Sequence, residues 1–161
     1  MIYAYRVFLP ASDIPSFVGK GNVDLGITGH DVILEAEMQN HVEEVLRLGF
    51  GKCALQVQVP DSSPYKSAAD LAGKRVVTSF EVLGGQYFGK IDDQLNLVGE
   101  DRTKIEYVGG SVEAACSLGL ADGIGTYASL FRSSVYSESQ PGLICSRPRR
   151  RVTAFRCPTP N

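Results

Sequence analysis

A glycine pair, a serine and a glutamate follow one another in KIEYVGGSVEAACSLGLADGI, residues 104–124. Gly109 and Gly110 allow the backbone to approach a bound group, and Ser111 is a favourable N-cap for a helix that begins there. Amides at such a helix end attract anions, and the carboxylate of Glu113 accepts bonds from hydroxyls. Together, Gly110, Ser111 and Glu113 predict a site for a phosphorylated sugar. The alternative is a capped helix in which Glu113 only complements the helix dipole.

A second turn of small residues lies in NVDLGITGHDVILEAE, where a strand over residues 23–27 leads to a helix from about Asp31. Ligands of α/β proteins bind where the strands end, so this turn is a candidate nucleotide site. Asp24 within the strand and Asp31 after it can orient a ribose or an adenine amine. For Asp31, a capping box with Thr28 is a sufficient alternative. An unpaired carboxylate buried in a strand is costly, which favours a role for Asp24. The predicted contacts are Asp24, Gly26, Thr28, Gly29 and Asp31.

A third junction of the same kind follows a strand over residues 74–78. Thr78, Ser79 and Phe80 form its turn, and a helix continues to about Lys90, weakened by a glycine pair in its interior. These three residues are further predicted contacts. No Ser–His or Cys–His set accompanies the three turns, and His30 is predicted to be a surface residue.

The rest of the pattern supplies the elements that hold these turns. Apolar residues alternate with glutamines before Pro60, which is typical of a half-buried strand. Glycine and proline punctuate the other elements. The predicted elements are a strand over residues 2–9, a helix over 13–21 with Asp13 as N-cap and Pro15 in its first turn, a strand over 55–59, a capping box of Ser67 with Asp70, a polar surface loop over 92–103, and strands over 105–108 and from Gly123.

Composition limits the class of protein. Hydrophobic residues make up 43% of the chain and charged residues 21%, as in ordinary globular proteins. No apolar run is long enough to cross a membrane and no secretion signal is evident, which predicts a cytoplasmic location. The cysteines have neither CxxC spacing nor neighbouring histidines. They are typical of reduced thiols, not of disulfides or a zinc site.

Charge is unevenly distributed along the chain. Residues 146–161 contain five arginines and no acid, so the overall charge of −2 leaves −7 on residues 1–145. An acidic body is unsuited to nucleic acid, and such a role would rest on the arginine segment alone. The sequence predicts a poorly ordered tail there.

Four segments of the chain, in consistent order, resemble the ATP phosphoribosyltransferase family, whose members catalyse the first step of histidine biosynthesis. The segments are ASDIPSFVGKGNVDLGITGHD, LGFGKCALQVQVP, LAGKRVVTSF and VGGSVEAACSLGLADGI. The resemblance covers about residues 7–124. It implies an incomplete, two-lobed α/β fold like that of type II periplasmic binding proteins, with substrates in the cleft between the lobes. The implied division is a nucleotide-side lobe over residues 1–60, a phosphoribosyl-side lobe over 61–124 and a divergent tail over 125–161.

The resemblance also implies the chemistry. Adenine N1 of ATP attacks C1 of the ribose of phosphoribosyl pyrophosphate (PRPP), and pyrophosphate leaves with Mg²⁺ bound. Glu113 matches the acid that contacts the PRPP ribose, and residues 24–31 match the nucleotide-side loop. Residues 78–80 match the cleft-facing turn of the second lobe, while Gly110 and Ser111 match the N-terminal end of the helix that follows them. No protein ligand for the metal is implied. Members of the family form homo-oligomers.

Departures from the family pattern follow Ile124. Thr126 stands where the family has an aspartate that binds ribose hydroxyls, and Leu130-Phe131 stand where it has the Ser-Gly of the 5′-phosphate loop. The family's first strand, an arginine-bearing ATP segment and the histidine-binding regulatory domain have no counterpart here. These departures predict little or no turnover. The alternative is a non-catalytic nucleotide-binding module or inactive fragment of the same family; a periplasmic solute-binding protein would need a secretion signal.

Overall fold

The computed structural model describes residues 5–51, 53–60, 63–110, 112–129, 142–145 and 152–156. Contacts divide the chain into two compact units. Unit 1 consists of Met1–Gly51 with Arg150–Asn161, and unit 2 consists of Lys52–Arg149. The chain therefore leaves unit 1 once and returns to it near its end. None of the helices in the described ranges combines the length and the apolar character needed to span a membrane.

Unit 1 is built on a three-stranded sheet in the order β1-β8-β2. Its strand β8 is antiparallel to both neighbours, so Ala154 lies opposite Ile27 on one side and Leu46 on the other. Val18 and Ile33 are buried in a small core beside the sheet. The elements are α1 (Ile14–Gly19), β1 (Leu25–Gly29), α2 (His30–Glu35), β2 (Glu43–Arg47) and β8 (Val152–Arg156).

Unit 2 contains a five-stranded sheet in the order β5-β4-β6-β3-β7. Strands β5, β4 and β6 run parallel, and β3 is antiparallel to both β6 and β7. Helices α3 and α4 connect these three strands, because parallel strands need a crossover connection. The elements are β3 (Cys53–Val59), β4 (Arg75–Thr78), α3 (Glu81–Gln94), β5 (Lys104–Tyr107), α4 (Val112–Ser117), β6 (Gly123–Ser129) and β7 (Gly142–Cys145), with 3-10 helices at Ala68–Leu71 and Gly99–Asp101.

Two apolar clusters hold the helices of unit 2 against its sheet. Phe88 of α3 packs with Val57, Val76 and Leu71, all of them almost fully buried. The second cluster joins α4 to β4 and β6 through Val77, Val112, Ala115, Ala121 and Ile124. Because both clusters include residues of β4, this strand is packed on both faces of the sheet. The turns that follow β4 and β5 are thereby held by packed elements.

Several local predictions are confirmed. Strands occupy residues 75–78 and 104–107, and Leu55, Val57 and Val59 are buried as their alternation predicts. Ser67 and Asp70 form the predicted capping box, here at the start of a 3-10 helix. These features depend on contacts within a few residues, which is why the sequence pattern is sufficient to predict them.

Three local predictions in unit 1 are wrong. The described part of the predicted N-terminal strand, residues 5–9, has no regular secondary structure. Thr28 belongs to β1, and its hydroxyl donates to the carbonyl of Ala11 at 3.4 Å; it does not cap α2, whose N-cap is Gly29. Asp24 lies in an exposed bend before β1 and is not buried within a strand. Solvent therefore removes the burial penalty that favoured a role for Asp24.

The tail and the division of the chain also differ from the sequence prediction. β8 comes from residues predicted to be poorly ordered, yet it pairs with two strands that precede it by more than a hundred residues. β3 was assigned to the first lobe, but its partners β6 and β7 belong to unit 2. The contacts place the first division after Gly51 and not after Pro60. Pairing between distant strands decides both points, and no local pattern reports it.

The segment predicted as a polar surface loop, residues 92–103, contains a buried anchor. Helix α3 continues to Gln94, and Asp92 is only 2% exposed. Its carboxylate accepts bonds from the amide of Thr103 at 2.9 Å and from the hydroxyl of Thr103 at 2.7 Å. The guanidinium of Arg102 lies 3.8 Å from the same carboxylate. A buried charge is tolerated when donors satisfy it in this way, so a polar residue here is interior.

A pH-dependent contribution to stability is expected from the capping box. The amides of Lys66 and Ser67 each donate to Asp70 at 2.8 Å, and these two bonds hold the pKa of that carboxyl below its ordinary value of 3.8. A group with a lowered folded-state pKa stabilises the fold above its unfolded pKa, and this stabilisation is lost as the pH falls through the folded-state pKa. In Asp70→Asn this component is absent. The urea midpoint of D70N should therefore fall less steeply with acidification than that of the wild type; equal slopes would contradict the prediction.

Candidate substrate-binding site

In unit 2, the parallel strands β4 and β5 end at the same edge of the sheet, and β6 continues past it to Ser129. Thr78 at the end of β4 lies opposite Tyr107 of β5 on one side and Gly125 of β6 on the other. The carboxyl edge of parallel strands is where α/β proteins bind their ligands. The β4–α3 and β5–α4 connections start here, so two of the predicted turns are neighbours in the structure.

Thr78 ties these two turns together. Its side chain is 1% exposed, and its hydroxyl oxygen accepts the amide of Phe80 at 3.0 Å. Its carbonyl accepts the amide of Val108 at 3.0 Å, which fixes the start of the neighbouring turn. Ser79 and Phe80 are half-buried beside it. Thr78 therefore shapes the site through hydrogen bonds to both connections.

The β5–α4 turn is open and close to the sheet edge. Gly109 and Gly110 are exposed, and the hydroxyl of Tyr107 lies 3.3 Å from the point where a Cβ of Gly109 would stand. Glu113 lies in the first turn of α4 and is exposed. Ser111 lies outside the described residues, so its capping role remains a prediction. The structure thus brings Thr78, Ser79, Phe80, Gly110 and Glu113 to one edge of unit 2.

In unit 1, the predicted contacts separate into two places. Thr28 and Gly29 end β1, and Asp31 follows in the first turn of α2 with 8% exposure. Oδ1 of Asp31 lies so close to Gly29 that a Cβ there would collide with it, so a side chain at position 29 would require Asp31 to move. Gly26 is buried within β1. Asp24 lies before the strand, about 16 Å from Gly29 for an extended chain, and is apart from this turn.

The sequence reading missed two residues that surround Thr78. Gly84 of α3 and Gly125 of β6 lie on either side of its side chain, and a Cβ on either glycine would be within 3.4 Å of it. The glycine pair inside α3 was a usable signal, because glycine is unfavourable in a helix interior and indicates a packing requirement.

A profile of ATP phosphoribosyltransferase matches residues 10–129 of the chain. The chain belongs to the ATP phosphoribosyltransferase family. The match extends past the residues in which the resemblance was seen, into β6. It includes Thr126, which is half-buried in β6 one residue beyond Gly125. Thr126 therefore lies next to the carboxyl edge of unit 2.

Relatives and solved structures agree with the family assignment. The ATP phosphoribosyltransferase of Yarrowia lipolytica is 55% identical over 118 residues, which are 73% of this chain and 38% of that enzyme. That of Candida albicans is 52% identical over 118 residues, which are 73% of this chain and 37% of that enzyme. The chain thus spans less than half the length of these relatives.

Solved structures that superpose on this chain have the same type of fold. The ATP phosphoribosyl transferase (HisG:HisZ) complex from Thermotoga maritima superposes with a TM-score of 0.68 at 21% identity, covering 93% of this chain and 67% of that one. The periplasmic aliphatic sulphonate binding protein of Escherichia coli gives a TM-score of 0.61 at 16% identity, covering 91% of this chain and 52% of that one. The predicted α/β fold of the periplasmic-binding-protein kind is confirmed.

Proposed function

We propose that the chain carries the substrate-binding elements of an ATP phosphoribosyltransferase, which condenses ATP with PRPP to phosphoribosyl-ATP and pyrophosphate in the first step of histidine biosynthesis. The observation that carries this proposal is the family match over residues 10–129. It is supported by the arrangement in unit 2, where the hydroxyl and glycine residues that follow β4 and β5 and the carboxylate of Glu113 in α4 lie at one edge of the sheet.

In this proposal unit 2 binds the phosphoribosyl group. Glu113 accepts the ribose hydroxyls, because an exposed carboxylate in the first turn of α4 is an acceptor without a competing charge partner among the described ion pairs. The β4–α3 turn of Thr78, Ser79 and Phe80 and the glycines at 109 and 110 lie on the same edge. Bonds to an ionised acceptor are about twice as strong as neutral ones, so Glu113 is the main contact.

Unit 1 is proposed to contact the nucleotide. Thr28, Gly29 and Asp31 are the candidates at the β1–α2 turn. Gly26, within β1, adds no side chain beside them. Asp24 stays a candidate only for a part of the nucleotide that reaches the other end of β1. The family resemblance is the basis for proposing that these residues bind ATP, and the compact β1–α2 turn supports the proposal.

The reaction needs orientation and charge stabilisation. Adenine N1 forms a bond to ribose C1 while the bond from C1 to the pyrophosphate oxygen breaks, and pyrophosphate departs with the electron pair. Holding N1 in line with C1 can supply about 7–11 kcal/mol of the barrier. Magnesium typically binds substrate phosphates with few protein ligands, and the described residues contain no group of three His, Cys, Asp or Glu that could hold a metal ion. We therefore propose that Mg²⁺ enters as part of the PRPP substrate.

The cytoplasmic location and an oligomeric state are further parts of the proposal. The Thermotoga maritima neighbour is a HisG:HisZ complex, which is a hetero-assembly of that protein. For this chain, assembly with copies of itself follows the family expectation.

Thr126, Leu130 and Phe131 replace the family's aspartate and Ser-Gly pair, so we also propose that this chain turns over slowly by itself.

Glu113→Ala tests the proposed phosphoribosyl site. A bond to a charged acceptor is worth about 1.5–3 kcal/mol, so the affinity for Mg²⁺–PRPP should fall about 10- to 100-fold. Isothermal calorimetry on the full chain measures this. Glu106→Ala is the matched control, because Glu106 is an exposed glutamate of the same unit that lies within β5, three residues before Gly109.

The two variants separate the possible results. E106A should bind PRPP as the wild type does, and both variants should unfold at the wild-type urea concentration because both side chains are exposed. Equal PRPP affinity of E113A and E106A would remove Glu113 from the site. Failure of the wild-type chain to bind PRPP at millimolar concentration would contradict the proposed function itself.

A further inference from the structure

Thr78 is enclosed by two glycines from elements that are distant in sequence. A Cβ on Gly84 of α3 would lie 3.1 Å from Cγ2 of Thr78, and a Cβ on Gly125 of β6 would lie 3.3 Å from its Oγ1. Separations of this size are below ordinary van der Waals contact, so the neighbour would have to yield. Thr78 itself is 1% exposed and has no solvent to move into.

The next residue of the same helix offers a direct contrast. Gly85 follows Gly84 in α3, but a Cβ on Gly85 would meet no atom within 4 Å. Glycine is disfavoured in the interior of a 14-residue helix at either position. Only at Gly84 does the packing provide a reason to keep it. The two adjacent glycines are therefore structurally unequal.

We propose that Gly84 is a positioning residue of the phosphoribosyl site, a role that rests on the proposed function. The missing side chain lets α3 approach the end of β4, so that Thr78 adopts the position in which its hydroxyl accepts the Phe80 amide at 3.0 Å. That bond sets the course of the turn formed by residues 78–80. Gly84 thus acts on the substrate through Thr78 and does not touch the substrate itself.

Displacement of Thr78 has a defined consequence. A methyl group at position 84 would stand 3.1 Å from Cγ2, and Thr78 is 1% exposed. Because the side chain has no solvent to move into, it must rotate or α3 must shift. Either movement lengthens the bond between the Thr78 hydroxyl and the Phe80 amide. The turn then loses the geometry that receives the phosphoribosyl group.

The test compares Gly84→Ala with Gly85→Ala in the full chain by two measurements. Hydrogen exchange of the Phe80 amide reports the turn directly, and calorimetry with Mg²⁺–PRPP reports binding. In G84A we expect the Phe80 amide to exchange at least about tenfold faster and PRPP to bind about tenfold more weakly, as for an overpacked core site. In G85A both quantities should stay at the wild-type value.

A second substitution distinguishes positioning from general loss of stability. Thr78→Ser removes Cγ2, the atom that an alanine at 84 would meet, and keeps the hydroxyl that accepts the Phe80 amide. In the double variant G84A/T78S, the exchange rate of the Phe80 amide should fall and the affinity for PRPP should rise. Both quantities should return toward the values of T78S alone. If G84A only destabilised unit 2, the amide of Thr103, which is bonded to Asp92 away from this turn, would exchange faster in step with that of Phe80, so the two exchange rates are compared.

The outcomes separate the two proposals. Indistinguishable G84A and G85A chains, or a double variant that shows no recovery, would overturn the role of Gly84. If the wild-type chain binds no PRPP, the proposed function fails, and the exchange of the Phe80 amide in the same variants still decides whether Gly84 positions the turn.

Discussion

Replacing Asp92 with alanine is expected to lower the free energy of unfolding by about 1.5–3 kcal/mol, the range for hydrogen bonds to a charged group. Asp92 is 2% exposed and accepts both the amide and the hydroxyl of Thr103. The hydroxyl of Thr103 in turn accepts the amide of Gly73 at 3.0 Å. Loss of the carboxylate leaves the half-buried amide and hydroxyl of Thr103 without their acceptor and loosens three segments of unit 2 together.

Asp93 provides the matched control for Asp92. It is the next residue of α3 and pairs with Arg102 at 3.0 Å, but its side chain is 68% exposed. Exposed ion pairs contribute at most about 1 kcal/mol, so Asp93→Ala should unfold near the wild-type urea concentration. Urea titration followed by far-ultraviolet circular dichroism measures both variants. A loss for D92A no larger than that for D93A would show that the buried carboxylate is not an anchor.

The second large effect concerns turnover. With ATP, PRPP and Mg²⁺ supplied, this chain is expected to form phosphoribosyl-ATP about 100- to 10,000-fold more slowly than the full-length Yarrowia lipolytica enzyme assayed beside it. The estimate corresponds to the loss of two charge-assisted contacts to PRPP of about 1.5–3 kcal/mol each. The ultraviolet absorbance of the product follows the reaction. Turnover equal to that of the yeast enzyme would show that the residues at 126, 130 and 131 are dispensable.

Thr126→Asp makes the cause of the slow turnover testable. Thr126 is half-buried in β6, one residue beyond Gly125, so a carboxylate there is near the proposed ribose contacts. T126D should raise the PRPP affinity about 10- to 100-fold, and the neutral, equally sized Thr126→Asn should raise it far less. Calorimetry distinguishes them. Equal affinities of T126D and T126N would mean that charge at this position does not reach the ribose.

Family and local structure were accessible from the sequence. The four segments that carry the resemblance fall inside residues 10–129, the range that the family profile matches. The capping box of Ser67 with Asp70 and the buried alternation of Leu55, Val57 and Val59 were also predicted correctly. Each of these is encoded within a few neighbouring residues, because propensity, capping and period-two burial are short-range effects.

Side-chain environment was predicted less well, since it depends on what packs against a residue. In β1 the alternation of Leu25 and Ile27 is real, but these two side chains are 53% and 56% exposed while Gly26 and Thr28 are buried. Asp92 was assigned to a surface loop because it is polar, although donors from Thr103 and Arg102 make it an interior residue. Hydropathy alone does not report such donors.

By itself, the sequence determined the family, the α/β class and the order of the strand-to-turn junctions, since all of these are written in short contiguous segments. Only the tertiary structure decided that β8 enters unit 1 between β1 and β2, that β3 belongs to unit 2, and that Thr78 lies between Gly84 and Gly125. Each of these depends on contacts between residues far apart in the chain, and the free energy of such contacts depends on their geometry in three dimensions.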